Sequence, residues 1–300
     1  MSTVSELARP ERCLLCGWPA LLDQAGFRQI YGQPGSAPIY LRWWECRLCR
    51  GWFVFPVPTP EEISRHCSVA VWNDQDRKIE IAHNKGPLQN RIFAVLGKWT
   101  RFGALLDFGC SFGEFMELAR KVGWAPSGFD PNEVSAKVAS TRGFEVRSEW
   151  QLHRAVFPEN HFAAITAIDS FYYTWDPYET LQLFFRLLQP GGVLAMRLTN
   201  KRVVLGLARA LSRSGAERDK RLSRILQGQF HSIAIESLVS ILRSVGFDRI
   251  EVDSQAMTAS WRTLSASTRL AYGLARVVSL LTLYKVNLSP GVLLFAQKAP

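Results

Sequence analysis

The sequence predicts an α/β protein: a Rossmann-like, mostly parallel seven-stranded sheet with helices on both faces, preceded by a small cysteine-rich module. Three observations carry this. Strand-length apolar runs alternate with helical patterns from Leu105 to Gln297, the order that builds a parallel sheet through right-handed crossovers. Leu105-Leu-Asp-Phe-Gly-Cys-Ser-Phe-Gly113 reads as a strand running into a glycine-bearing turn. Two pairs, Cys13-x-x-Cys16 and Cys46-x-x-Cys49, place four thiols ahead of that core.

Taken in order, residues 10–58 form the cysteine module, closed by a strand at Trp52-Phe-Val-Phe55. Pro56, Pro58 and Pro60 then oppose regular pairing, and Thr59 can cap a helix opening at Pro60. Residues 60–98 read as a helical connector and 99–300 as the α/β domain. After the first strand at Leu105, residues 114–122 form a helix and Gly128-Phe-Asp130 ends a second strand. A helix over 133–141 stops at Gly143, and Phe144-Glu-Val146 is the third strand. Phe162 to Asp169 is the fourth strand, Asp176-Pro177 opens a helix, and Val193 to Leu198 is the fifth strand. Residues 201–229 are a basic helical insertion with apolar residues at helical intervals. A helix over 237–245, a sixth strand at Ile250-Glu-Val252, an amphipathic helix over 263–284 and a last strand at 291–297 complete the chain. The two modules are expected to have separate cores.

The glycines at 109 and 113 let backbone approach a nucleotide where a Cβ would collide. Asp130 lies 21 positions beyond Gly109, the spacing at which a carboxylate meets ribose hydroxyls. A dinucleotide turn wants G-x-G-x-x-G facing a pyrophosphate. Here the pattern is Asp107-x-Gly109-x-Ser111-x-Gly113. Asp107 would repel a pyrophosphate but attract the cationic amino group of S-adenosylmethionine.

These residues, with Phe162 to Asp169, Asp176-Pro177 and Leu187-Leu-Gln-Pro-Gly-Gly-Val-Leu194, resemble the class I S-adenosylmethionine-dependent methyltransferases, closely over residues 100–200 and loosely elsewhere. The resemblance places Asp107 and Gly109 at the methionine end of the cofactor and Asp130 at its ribose. Cys110, Ser111 and Gly113 complete the turn, and Glu149, Trp150 and Asp169 follow the third and fourth strands. Many relatives carry Glu-His where this chain has Tyr172 and Tyr173, so the obvious general base is missing. The catalytic candidates are then His231, an imidazole suited to proton transfer near neutral pH, with Tyr172 and Tyr173 orienting an acceptor. Trp175 and Asp176 border the mouth of the site, while His153 and His161 receive no role.

Two C-x-x-C knuckles can supply a tetrahedral Cys₄ site for a structural Zn²⁺, giving a zinc ribbon; a redox dithiol pair is the other reading. Gly17 and Gly51 follow the knuckles, and Cys67 reads as a small buried residue. The ribbon followed by Pro-Val-Pro-Thr-Pro-Glu-Glu-Ile is similar to the N-terminal module of bacterial methyltransferases of sugars and cell-surface glycans. That resemblance implies a small-molecule acceptor: a sugar or glycan intermediate, free, nucleotide-linked or lipid-linked.

The formal net charge is +10, unevenly spread. Residues 201–300 hold 15 Lys and Arg against 6 Asp and Glu, and no acidic residue follows Asp253. An anionic partner fits this asymmetry, whether a phosphorylated substrate, nucleic acid or the anionic inner face of a membrane; so does a solvated face, or a lid packed on the core. Nucleic acid is the weaker reading, because residues 1–60 have a net charge of only +2, thin for an electrostatic footprint. An RNA methyltransferase and a non-catalytic protein retaining the cofactor fold are the alternatives. No apolar run follows Met1 and no stretch reaches the roughly 20 apolar residues of a membrane span, so a cytoplasmic chain is expected.

Overall fold

The computed structural model describes residues 9–19, 22–31, 39–57, 59, 86–149, 152, 155–226, 229–254, 269–270, 273–274, 277–278, 281 and 289–300. The expectations for Cys67, Trp150, His153 and the helix opening at Pro60 lie outside these residues, as does most of 263–284. Strands β4 (Ala104–Phe108), β5 (Ala125–Phe129), β6 (Val146–Arg147), β7 (Phe162–Ile168), β8 (Leu188–Thr199), β10 (Phe247–Asp253) and β11 (Gly291–Lys298) form one sheet. Its order is β10-β11-β8-β7-β4-β5-β6, with β4, β5, β6, β7 and β8 mutually parallel and β11 antiparallel to both neighbours. The chain winds outward from β4 to β6, then crosses back to β7 beside β4. That reversal opens a crevice above the carboxyl ends of β4 and β7, where α/β sheets hold their ligands.

Helices cover both faces. Helix α1 (Gly86–Trp99) buries Leu88, Ile92 and Leu96 with Val193 and Phe295 on one side. Helix α2 (Glu114–Lys121) adds Phe115 and Ala119 to that layer. Helix α3 (Glu133–Thr141) starts where Asn132 accepts from Val134 N and Ser135 N at 3.0 and 3.1 Å, a side-chain cap for otherwise orphaned amides. On the other face lie α4 (Pro177–Leu187) and α7 (Ile235–Val245), around the fully buried Phe184 and Leu242. Asp176 caps α4 by accepting from Glu179 N at 3.0 Å, and Pro177 fills the first turn, where a missing N–H costs nothing. The insertion after β8 folds as two helices, α5 (Arg202–Ala210) and α6 (Gly215–Leu226). Differences from the sequence reading are local. The third strand begins at Val146 rather than Phe144, whose ring is buried against Cys110, Met116 and Ala139, and the fifth begins five residues early at Leu188.

The cysteine module forms a second sheet from β1 (Leu22–Tyr31), β2 (Ile39–Cys46) and β3 (Trp52–Phe55), and a fourth strand comes from the other module. Strand β9 (His231–Ser232) pairs antiparallel with β3, Phe53 opposite His231. The expected separation of cores does not hold. Cys13, Leu15, Cys46 and Phe53 share one apolar cluster with Phe171 and Leu181 of the α/β domain. Trp43, Trp52 and Val54 share another with Leu205, Leu222 and Phe230. A short cysteine module cannot bury both faces of its sheet alone, and the neighbouring domain supplies what it lacks.

Candidate active site and metal centre

The turn after β4 is built from alternating left-handed residues: Gly109 at φ 78°, Ser111 at 52° and Gly113 at 86°. Asp130, just past β5, ties this turn to the neighbouring loop. Its carboxylate accepts from Ser111 N at 2.8 Å and from Asn132 N at 2.9 Å. A carboxylate offers about four acceptor sites, a number that suits hydroxyl donors as well as backbone amides. Asp107 is 3% exposed and accepts from Thr166 Oγ1 at 2.8 Å, so its carboxylate is fixed beneath the crevice.

Gly109 is required for a reason the sequence hid. A Cβ there would lie 2.4 Å from Ser170 Cβ, on the loop after β7. Ser170 donates to Phe108 O at 2.6 Å, so the loops after β4 and β7 interlock at the crevice. The Cys110 side chain turns the other way, into the small cluster of Met116, Ala139 and Phe144, and burial pushes its thiol pKa up. Only its backbone faces the turn. Glu149 follows β6, and its buried Oε2 meets no hydrogen-bond partner among the described residues.

Across the crevice, Asp169 adopts φ 59° immediately after β7 and forms an ion pair with Arg197 of β8. Arg197 is a residue that the sequence reading missed. Its signal was a lone arginine in the apolar run Val193-Leu-Ala-Met-Arg-Leu198. Tyr172 lies near this pair, and burial first, then the Asp169 charge, push its phenol pKa up. It therefore stays a protonated hydroxyl. Tyr173 packs edge-on against it with ring centroids 4.7 Å apart, and Trp175 tilts over Phe230 at 4.2 Å. Lys201, also missed, donates to Ile225 O at 2.6 Å, closing the last turn of α6, and burial lowers its pKa to about 8.

His231 is buried, 2% exposed. Its Nε2 lies 2.8 Å from Phe171 O and 3.2 Å from Thr174 Oγ1. A carbonyl only accepts, so Nε2 carries the proton in the neutral ring and Nδ1 is a bare acceptor. Burial lowers the His231 pKa to about 4, partly offset by the Phe171 carbonyl. Asp176, expected at the mouth of the site, serves as helix cap and ion-pair partner of Arg12, which also reaches Glu179 at 2.9 Å.

The four cysteines of the ribbon are brought together as expected. All four sulfurs lie within 4.8 Å of one another, with Cys13–Cys49 at 3.8 Å and Cys16–Cys46 at 3.9 Å. Those distances exclude disulfides, whose sulfurs are about 2.05 Å apart. They match a tetrahedron around Zn²⁺, in which bonds of about 2.3 Å set sulfurs about 3.8 Å apart. The knuckles are equivalent: Gly17 N donates to Cys13 O at 2.9 Å and Arg50 N to Cys46 O at 2.8 Å. Gly17 (φ 75°) takes the left-handed position of one and Arg50 (φ 55°) that of the other. Gly51 is there for space, since a Cβ would meet Leu15 Cδ1 at 2.3 Å. Hydrogen bonding among the sulfurs drives Cys13 and Cys49 up and Cys46 down, with Cys16 lowered to about 7. Four thiols this close cannot all ionise by themselves, and a divalent cation is the kind of partner that such a cluster could hold.

A sheet of this order, with an acidic strand end beside a glycine turn, defines a Rossmann-like, S-adenosylmethionine-dependent methyltransferase fold. The chain belongs to the methyltransferase-domain family, whose pattern it matches over residues 82–252. It is similar to a Caulobacter vibrioides ubiquinone biosynthesis O-methyltransferase, 26% identical over 179 residues, spanning 53% of this chain and 69% of that one. Among solved structures, it resembles the Haloferax volcanii complex of the Trm112 methyltransferase activator with a putative methyltransferase. That match has 15% identity, a TM-score of 0.52, and covers 77% of this chain and 97% of the other. A Thermotoga maritima methyltransferase described as a possible histamine N-methyltransferase matches at 16% identity and TM-score 0.48, covering 75% and 95%. The chain is thus a methyl-transferring enzyme that uses S-adenosylmethionine. Among the described residues, no helix is long and apolar enough to cross a membrane.

Proposed function

We propose that this methyltransferase acts on a hydroxyl-bearing small molecule, a sugar or glycan intermediate, with the cofactor held over β4 and β5 and the acceptor over β7 and β8. The observation that carries the division is the pair of unlike walls. One is the left-handed turn of Gly109, Ser111 and Gly113 tied by Asp130. The other is the aromatic and charged group of Tyr172, Tyr173, Trp175, Asp169 and Arg197. The sugar assignment rests on the ribbon's resemblance to sugar and glycan methyltransferases; the Caulobacter relative, named for ubiquinone biosynthesis, supports a small-molecule acceptor.

The bound cofactor supplies a sulfonium methyl for in-line displacement. In this reading Asp130 receives the ribose hydroxyls, and Asp107 with the backbone at Gly109 faces the methionine end. Ser111 and Gly113 complete the turn, and the orphaned Glu149 Oε2 takes a donor from the cofactor. Tyr172 donates to the acceptor, because its phenol stays protonated. Aromatic faces suit the apolar side of a sugar ring. His231 holds the acceptor wall rather than removing a proton, since a pKa near 4 makes it a weak base at neutral pH. Cys13, Cys16, Cys46 and Cys49 hold one structural Zn²⁺, with no open coordination position for chemistry.

A second reading concerns location, and exposure supports it. Val204 and Leu207 on α5 and Leu211 at its C-cap are exposed, as are Leu270, Leu274, Val277 and Leu281 on helical residues further along. Among the described residues, half the large exposed apolar side chains therefore lie on these two segments, within the most basic third of the chain. An apolar stripe among cations fits the interface of an anionic bilayer, where a lipid-linked acceptor would reside.

The test uses methyl-labelled S-adenosylmethionine offered with sugar nucleotides, a lipid-linked sugar and phenolic acceptors. Label transfer to the sugars supports the proposal. Transfer confined to phenols overturns the glycan assignment while leaving the enzyme class in place.

A further inference from the structure

The ribbon touches the α/β domain in an uneven way. Its contacts run to the acceptor side, through backbone as well as side chains. Val54 N, in β3, donates to Phe230 O at 2.9 Å, and Phe230 N donates to Tyr172 O at 3.0 Å. One residue on, His231 pairs with Phe53 of the ribbon and reaches Phe171 O from Nε2 at 2.8 Å. A second connection starts at the first knuckle. Tyr178 N donates to Leu14 O at 3.0 Å, between Cys13 and Cys16, and Arg12 binds the Asp176 cap. At Gly17, contact with the Tyr178 ring is close enough that a Cβ would lie 2.6 Å from its Cε1. A third is the insertion, whose α5 and α6 pack Leu205, Leu222 and Leu226 on Trp43, Trp52 and Val54. Arg209 of α5 stacks over Trp52 at 4.3 Å and pairs with Glu45.

The cofactor turn has different supports. Gly109 N and Cys110 N donate to Phe129 O at 2.7 and 3.1 Å, and Asp130 closes the turn from β5. Beneath it lie Cys110, Met116, Ala139 and Phe144, a cluster without a ribbon residue. The two walls touch at Ser170, and Phe108 and Phe129 reach the ribbon's apolar cluster, but among the described residues the ribbon's backbone bonds run to the acceptor wall and those of the turn run to β5.

From this geometry we infer that the metal-held ribbon is the scaffold of the acceptor wall, so that the Cys₄ site governs the order of residues 171–178 and 229–232 while the cofactor turn stands without it. The inference rests on the acceptor and zinc assignments proposed above. His231 is its positioning residue, joining β3 to the turn that carries Tyr172. Proteins with separate ribbon and catalytic cores would show no such dependence, because metal loss would unfold the ribbon alone.

The experiment compares zinc-loaded full-length protein with the same protein stripped by chelator, using amide hydrogen exchange and calorimetric titration with S-adenosylhomocysteine. Stripping is expected to speed exchange in 171–178 and 229–232 at least tenfold. Exchange at 109–113 and 130–132, and the affinity for S-adenosylhomocysteine, should change less than twofold. Global unfolding on stripping, seen as lost S-adenosylhomocysteine binding, overturns the inference, as does unchanged exchange in 171–178. His231→Leu gives an independent reading with zinc in place: the same segments should loosen, and His231→Gln, which can still donate to Phe171 O, should restore protection. Equal protection in all three proteins overturns the positioning role. If the loaded wild type fails to bind S-adenosylhomocysteine at all, the cofactor-site reading fails instead, a result distinct from either of these.

Discussion

Asp130→Ala should separate two jobs that one carboxylate performs. In the folded chain it accepts from Ser111 N at 2.8 Å and Asn132 N at 2.9 Å. A hydrogen bond to a charged acceptor is worth about 1.5–3 kcal/mol, so losing both removes about 3–6 kcal/mol if nothing replaces them. Asp130 is partly exposed, and water can take over some of that, leaving a stability loss of about 2–3 kcal/mol. Ribose hydroxyls would lose a further charged partner, weakening S-adenosylhomocysteine by about 10- to 100-fold. Urea unfolding measures the first effect and calorimetric titration the second. A loosened turn alone would also weaken binding, so the 2′-deoxy analogue completes a cycle. The wild type should lose affinity for the analogue, whereas the variant should bind both ligands alike. Unchanged affinity for S-adenosylhomocysteine in Asp130→Ala, or a full deoxy penalty persisting in the variant, would refute the ribose assignment.

Gly109→Ala places a Cβ 2.4 Å from that of Ser170 at φ 78°. Left-handed strain alone costs about 1–2 kcal/mol, so thermal unfolding should shift down and S-adenosylhomocysteine titration should show at least tenfold weaker binding. Elemental analysis of protein purified without chelator should find one zinc per chain; absence of any bound metal would refute the Cys₄ assignment. His231 has a folded pKa near 4 against an ordinary value near 6.5, so the unfolded chain takes up its proton first as pH falls. Stability should therefore drop between pH 6.5 and 4, by about 3 kcal/mol from this group, and His231→Gln should remove that part of the slope in urea titrations. Co-sedimentation should show binding to anionic vesicles that weakens with salt and on Leu207→Glu; indifference to anionic lipid at low salt excludes the membrane contact.

The parts of the site legible in the sequence are those set by local chemistry. The turn from Asp107 to Gly113, the carboxylate at Asp130 and the Asp176-Pro177 helix start each depend on residue types at short spacing, and the fold bears out the strand and helix order read from them. The cysteine knuckles were legible for the same reason, although Arg50 rather than Gly51 takes the left-handed position. What stayed hidden is tertiary. Strand β9 is two residues long and has no period to detect, yet it ties the α/β domain to the sheet of the cysteine module. The Asp169–Arg197 pair spans two strands, and nothing in local spacing matches them. Gly109 looked like a concession to a nucleotide, whereas the loop carrying Ser170 already requires it. The apolar stripe of 201–211 reads as a lid packed on the core before it reads as a surface, but the structure buries Leu205 and Ala208 against the ribbon and leaves Val204, Leu207 and Leu211 exposed.

The most direct test of the account is a crystal structure of the full chain with S-adenosylhomocysteine. The ligand should lie above the carboxyl ends of β4 and β5, with its ribose hydroxyls on Asp130 and its sulfur facing the wall that carries Tyr172. A ligand bound with its ribose away from Asp130, or with its sulfur turned from that wall, would contradict it.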